Sequence, residues 1–147
     1  MSDKTLLQRM HAVMQEVSYV TKDSMFKAGG KDIPAVSHDG VCAALRPSIV
    51  DHGIVVTASV VGHSIVAEWD VPNSRGGTTH YTNTAANVDV TFWNIDDQED
   101  KITVTGLGHG IDNADKGPGK AISYTVKMAL LKCFFLETGT RYTYFTQ

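Results

Sequence analysis

The chain is poor in the things that most quickly declare a function. Cys42 and Cys133 are its only cysteines. Two thiols so far apart make neither a disulfide framework nor a zinc ligand set, and both lie in apolar segments, as buried free thiols do. No apolar run approaches the length needed to span a bilayer, and no secretory leader is legible, so a cytosolic protein with no membrane partner is expected. Positive charge is also scarce. Thirteen Lys and Arg against sixteen Asp and Glu give a formal net charge of −3, whereas a generic nucleic-acid binder is basic overall. Any surface for a polyanion must therefore come from clustering. The run Asp96-Asp97-Gln98-Glu99-Asp100 holds four of the sixteen acids in one expected turn and leaves the remainder close to neutral. Catalytic signatures are missing as well: there is no Gly-x-Ser-x-Gly, no His-Glu-x-x-His and no paired-cysteine motif. The six histidines, at 11, 38, 52, 63, 80 and 109, are scattered.

What is present suits one domain over residues 1–147, with 42% hydrophobic and 20% charged residues, ordinary values for a soluble globular chain. Leu6, Met10, Val13, Met14 and Val17 follow a helical period, with Ser2 or Asp3 as N-cap. This methionine-bearing stripe reads as core or as a subunit contact. Residues 22–33 form a polar connection with Gly29-Gly30 at a hairpin or flexible tip. Tyr19, Lys22, Phe26, Lys27 and Lys31 interleave aromatics with cations there, a pairing suited to single-stranded nucleic acid but equally to a solvated loop. Ser37 opens a second helix that buries Val41, Ala44, Leu45, Ile49 and Val50. Pro47 predicts a kink or break in it, and Asp51-His52-Gly53 ends it. Arg46 is placed to meet a phosphate or a surface carboxylate.

From Ile54 to His109 the pattern becomes β. The spacing predicts four antiparallel strands: 54–61, a turn at Gly62-His63, 64–71, then a long strand from Thr78 to Trp93 and a return from Lys101 to Leu107. Pro72 to Gly77, with Arg75, makes the longer turn. Ala85-Ala86 marks a bulge. Val88, Val90 and Phe92 point one way and Asp89, Thr91 and Trp93 the other, leaving one face polar enough for water. The tail from Arg141 to Phe145 alternates and reads as an added strand or an exposed end.

The stretch from Gly106 to Thr138 organises the rest. It leaves a strand, crosses a Gly- and Asp-rich turn, and enters a helix whose Ile122, Val126, Ala129 and Leu130 share a face. Pro118 and Gly119 mark its entry and Gly139 its stop. Lys120, Ser123 and Lys127 can form a polar, positive stripe, with Lys116 and Lys132 nearby. Four readings of the stretch stand side by side. A glycine-rich turn at a helix N-terminus offers free N–H groups to phosphate. A P-loop fails, because Gly119-Lys120 is followed by Ala121 and position 114 is alanine. His109, Asp112 and Asp115 could hold a divalent ion, and so support a metal-dependent nuclease, without matching a specific motif. The lysines could simply be solvated. Helix, meander, then long helix is an α+β layer architecture.

The segment GHGIDNADKGPGKAISYTVKMALLKCFFLETG also resembles the signature of the Erf (essential recombination function) family of phage single-strand annealing proteins. Gly108, Gly110, Asp112, Asp115-Lys116, Lys120-Ala121, Ser123-Tyr124, Lys127 and Ala129-Leu130-Leu131-Lys132 through Phe134 carry the likeness. Tyr19-Val20, Val36-Ser37-His38-Asp39, Leu45-Arg46-Pro47 and His52-Gly53 extend it upstream. His109 stands where the family favours an acid, and Pro118-Gly119 is a looser turn. The resemblance implies the β-β-β-α core of the wider annealing-recombinase superfamily and annealing of complementary strands without nucleotide hydrolysis, cofactor or catalysis. It implies a ring or helical filament with single-stranded DNA in a positive groove, and a phage exonuclease or host single-strand binding protein as partner. DNA contact is then expected first at Lys116, Lys120, Lys127 and Lys132, and next at Arg46, Lys27 and Lys31. Asp112 and Asp115 would cap the turn or orient the lysines, and Gly108 and Gly110 would be conformational. Assembly without DNA binding is the competing reading.

Overall fold

The computed structural model describes residues 3–139, apart from the side chains of residues 26–28. The tail 141–145 and the side chains of Phe26 and Lys27 lie outside the described residues. The elements run α1 (Leu6–Glu16), β1 (Tyr19–Val20), β2 (Ser24–Ala28), β3 (Lys31–Ala35), α2 (His38–Asp51), β4 (Ile54–Pro72), β5 (Thr78–Asn94), β6 (Asp97–Asp112), α3 (Gly117–Cys133) and β7 (Glu137–Thr138). This is an α+β fold in which α3 packs on an antiparallel three-stranded sheet of order β4-β5-β6. Its contacts divide into two compact units. One holds Met1–Val56, Phe92–Ile102 and Leu130–Gln147, and the other holds Thr57–Thr91 and Thr103–Ala129.

In the first unit, α1 begins at Thr5, not at Ser2 or Asp3. Thr5 and Gln8 form a reciprocal capping box, which satisfies two orphan N–H donors at once and fixes the start. Leu6, Met10 and Val13 are buried, while Met14 is exposed. Buried among them is Arg9, only 3% exposed, which periodicity does not reveal. Its guanidinium donates to the carbonyls of Lys4, His52 and Gly53 and meets Asp96 Oδ2 at 2.6 Å. Asp100 accepts from the Leu6 N–H at 2.6 Å and from Asn94 Nδ2 at 3.0 Å. The acidic run is therefore not all one turn: the chain reverses at Ile95-Asp96, Asp97 to Asp100 belong to β6, and two of the acids, Asp96 and Asp100, are tied to α1.

Ser37 caps α2 through the Gly40 N–H, and Asp23 holds Ser37 in turn. The helix runs unbroken through Pro47. Leu45, Ser48 and Ile49 are buried on either side of the proline, and that burial outweighs the single backbone bond that Pro removes. Glu16 clasps α1 to α2 by accepting from Ser48 Oγ at 2.7 Å and lying 2.6 Å from His52 Nε2. Gly29 and Gly30, both with positive φ, turn the β2–β3 hairpin as the sequence suggests. Phe92 meets Phe134 edge-on with ring centroids 5.5 Å apart, and β1 pairs in parallel with β7.

In the second unit the turn expected at Gly62-His63 is absent: β4 is one strand of 19 residues, and three strands replace four. Gly62 does not take a positive φ, whereas Gly76 in the real β4–β5 turn does, at 82°. A glycine without that conformation simply continues a strand. Val88 and Val90 are buried, as the alternation demands, but Thr84, Ala85 and Ala86 are buried in succession, so the pattern slips there. His80 lies between two carboxylates, with Nδ1 2.9 Å from Asp70 and Nε2 3.2 Å from Glu68.

The helix also differs in detail. It starts at Gly117 and ends at Cys133, well before Gly139, with Phe135 in the left-handed region at φ 51°. Of the expected face Leu130 is buried but Ile122, Val126 and Ala129 are only half-buried, and the most buried stripe is small: Gly117, Ala121 and Thr125. These positions, four apart, face Gly106, Gly108 and Gly110, two apart on β6. A Cβ at Gly106 would lie 2.6 Å from Thr125 Cγ2, one at Gly108 would strike the Ala121 carbonyl, and one at Gly110 would strike the Gly117 carbonyl and come 2.8 Å from Ala121 N. None of the three strand glycines has a positive φ. They are required for close approach, not for an unusual backbone.

Gly110→Ala meets backbone atoms that cannot turn aside and is expected to cost about 1–3 kcal/mol by urea unfolding. Gly119→Ala, whose Cβ meets nothing within 4 Å, is expected to be neutral or stabilising by up to about 1 kcal/mol. His80 is pulled above its ordinary pKa of 6.5 by its hydrogen bonds to Asp70 and then Glu68. Its contribution to stability is full below pH 6.5 and fades as pH rises through the raised value, which an NMR titration of the imidazole measures directly.

Candidate nucleic-acid interface

The turn between β6 and α3 is built on one carboxylate. Asp112 Oδ2 accepts the N–H groups of Ala114 and Lys116, each at 3.0 Å. Its Oδ1 accepts from Lys120 Nζ at 2.8 Å, and the same ammonium donates to the Ile111 carbonyl at 3.0 Å. The sequence dictates this closure: an Asp bonding to the N–H two residues on makes an Asx turn, and Lys120 reaches back from the first turn of α3. The Asp112 side chain is 10% exposed, against 52% for Lys120. The hydrogen bond from Lys120, then that from the Lys116 N–H, holds the Asp112 carboxyl down at about 2.

This arrangement alters the phosphate reading of the turn. An anion already sits against these amides and Lys120, and that anion is the protein's own side chain. An external phosphate is left with side-chain cations. Lys116 is exposed beside the turn, and Lys127, seven residues beyond Lys120, lies about 10 Å further along α3. Lys127 Nζ rests 5.2 Å from the ring centroid of Tyr124, which is 46% exposed, so a cation and an aromatic surface stand together. The first unit carries the other sequence-derived cations. Lys132 is exposed in the last turn of α3, Arg46 is exposed on α2 and Lys31 is exposed on β3. Lys27 has its side chain outside the described residues. α3 carries Lys120, Lys127 and Lys132 and no acid at all.

The nuclease-like trio is not assembled. Asp112 is consumed by the turn, and His109, Asp112 and Asp115 form no cluster at ligand spacing. Among the described residues the group with that spacing is Glu16, Asp51 and His52, where Glu16 and His52 already satisfy one another. Cys42 and Cys133 are free and half-buried, and burial raises both thiol pKa values above the ordinary one. No helix among the described residues is long and apolar enough to cross a membrane.

With this geometry in place, the comparison with known families is decisive. The family model described as "ERF superfamily" matches residues 6–141. The chain belongs to the ERF superfamily. No individually curated protein matches it significantly. The ERF match covers both units, so it takes in the Arg9 clasp of α1 as well as the lysine-bearing turn. Within this ERF chain, the quoted signature residues divide by role. Gly108, Gly110 and Ala121 make close packing, Asp112 and Lys120 close the turn, and Lys116, Tyr124 and Lys127 supply its polar surface. The packing roles of Gly106, Gly117 and Thr125 escape periodicity, since small residues carry little hydrophobic signal. Two glycines spaced by one residue on a strand, opposite small residues spaced by four, would have been the sign.

Because Asp112 is held at about 2 against an ordinary 3.8, its contribution is present above pH 3.8 and lost as pH falls from there through about 2. Asp112→Asn is expected to lower the melting temperature at pH 7, with the gap from wild type closing as the pH approaches 2.

Proposed function

We infer that this protein binds single-stranded DNA and promotes annealing of complementary strands, without nucleotide hydrolysis, as an oligomer. ERF membership supports a role in phage recombination and annealing in general. The observation that carries the finer reading is α3, whose only charged side chains are lysines, beside a turn in which Asp112 takes the Ala114 and Lys116 N–H groups. Cationic side chains hold the phosphodiester backbone through charge and leave base edges free to pair. Lys116 and Lys127 are the leading contacts, with Tyr124 as a stacking surface. Lys120 contributes charge but is also needed by Asp112. Lys132, Arg46, Lys31 and Lys27 are the further contacts.

A net charge of −3 makes one subunit a weak binder, and repetition around a ring or along a filament converts weak contacts into avidity. The reaction needs neither metal nor other cofactor and forms no covalent intermediate. Its site of action is the cytoplasm of a phage-infected or prophage-bearing bacterium, with an exonuclease or a host single-strand binding protein supplying or exchanging the strand.

A labelled oligonucleotide titrated across a salt series, with chelator and no nucleotide, tests this reading. Affinity is expected to fall with a log–log slope of about −0.7 per phosphate contacted, and adding the complement is expected to accelerate pairing. Lys127→Ala should weaken binding and shallow the slope by about 0.7 per subunit contact removed. Absence of binding at low salt overturns the proposal, and loss of binding in chelator replaces it with a metal-dependent one.

A further inference from the structure

Among the described residues β4 is an unguarded edge. It lies at the end of the order β4-β5-β6, and every residue from Thr57 to Pro72 except Gly62 is exposed. Val60, Val61, Ile65, Val66, Trp69 and Val71 are 37–59% exposed. Natural edges are protected by lysines, prolines or charge. From Ile54 to Val71 there is no Lys, Arg or Pro, and the only acids are Glu68 and Asp70. A strand so long and apolar invites pairing with another chain.

Charge points to a second copy of this chain. From Ile54 to Val71 the only acids of β4 are Glu68 and Asp70, and beyond the end of β6 Lys116 is exposed, while Asp112 there is already paired with Lys120. Side-chain pairs also set their heights. Asp70 bonds His80 and Trp69 stacks on Tyr81, so the outer end of β4 is level with the start of β5. Thr82 Oγ1 lies 3.5 Å from the Asp112 carbonyl, which carries the same level across to the end of β6 and the turn at Lys116. Thr84 lies against Gly117, so His80, two alternations earlier on β5, and its partners Glu68 and Asp70 are on the α3 side of the sheet.

We propose that β4 docks on the β6 edge of a second copy of this chain, continuing the sheet from subunit to subunit and setting Glu68 and Asp70 beside the neighbour's Lys116. β6 is the other edge of the same sheet, so the contact is head-to-tail and repeats. A two-fold β4–β4 pair would leave both basic turns unmatched. The proposal rests on the assembly part of the function above and names its surface. Lys116 then serves the junction as well as the DNA track, and mass and DNA affinity read the two roles separately.

The test is Ala67→Cys combined with Ile111→Cys, both exposed positions on the face away from α3. Within one chain they sit two strand spacings apart, about 9.6 Å, beyond disulfide reach. Across the proposed junction they are neighbours. Oxidation of the double variant is expected to give a ladder of covalent multimers. Each single variant, like wild type with its native Cys42 and Cys133, should give none, and an equal mixture of the two singles should stop at dimers. A second variant, Ile65→Lys at a 59% exposed position, should weaken assembly at least tenfold by sedimentation while keeping the wild-type melting temperature. Covalent dimers from Ala67→Cys alone overturn the head-to-tail contact. Wild-type multimers that neither cross-link in the double variant nor respond to Ile65→Lys overturn this surface and leave assembly standing. A wild-type monomer at concentrations that bind and anneal DNA overturns the assembly reading together with this proposal.

Discussion

The helix–strand contact through Gly106, Gly108, Gly110, Gly117, Ala121 and Thr125 is the constraint on which the second unit depends. Helix axes on a sheet normally stand off by the thickness of side chains. Here hydrogen atoms occupy that space, and backbone approaches backbone. Dispersion energy falls steeply with separation, so the contact is either made closely or largely lost. Thr125 shows how tightly it is made: its hydroxyl bonds back to the Ala121 carbonyl at 2.7 Å, within the buried stripe, so its own polar atom is satisfied where helix meets strand. The turn between the two elements is short because Asp112, at the strand's last residue, closes it directly onto Lys116 and Lys120.

The first unit relies on a different device. Arg9 would be costly in a core unless all its donors were met. Three backbone carbonyls and Asp96 accept four hydrogen bonds from it. One of those carbonyls belongs to Gly53, whose positive φ of 69° leaves no room for a side chain beside the guanidinium. The end of α2, the entry to β4 and the start of β6 are thus tied to α1 by one residue. Neutralisation also accounts for part of the acid excess. Asp96 and Asp100 look like solvated surface charges in the sequence and are structural ligands in the fold.

Much of the architecture was legible from the order of residues. The period of α1, the cap at Ser37, the Gly29-Gly30 hairpin and the alternation of Val88, Val90 and Phe92 each follow from local rules, and the fold keeps them. Gly62 misleads because glycine composition does not report φ, and only the partner strand decides whether the chain turns. Pro47 does not break α2, because flanking burial holds the helix together. Leu130 keeps its expected place, but ahead of it the buried face of α3 is displaced by one position because a hydrophobic pattern is blind to glycine and alanine as packing surfaces. At the candidate interface the lysines are visible in the sequence. That one of them, Lys120, is bound internally while Lys127 stands beside Tyr124 depends on three-dimensional distances that spacing does not contain.

The carboxylate of Asp112 has a consequence for selectivity. A helix entry with free amides grips any small phosphate, and a cell holds nucleotides at concentrations far above those of single-stranded DNA. Setting a tethered acid against two of those amides and Lys120 disfavours a small phosphate at the same place. On the proposed reading, the exposed cations that remain would give a single nucleotide a brief contact and single-stranded DNA many simultaneous ones. Chain length itself would then be the property that is recognised, with the abundant monomers disfavoured by the same side chain that folds the turn.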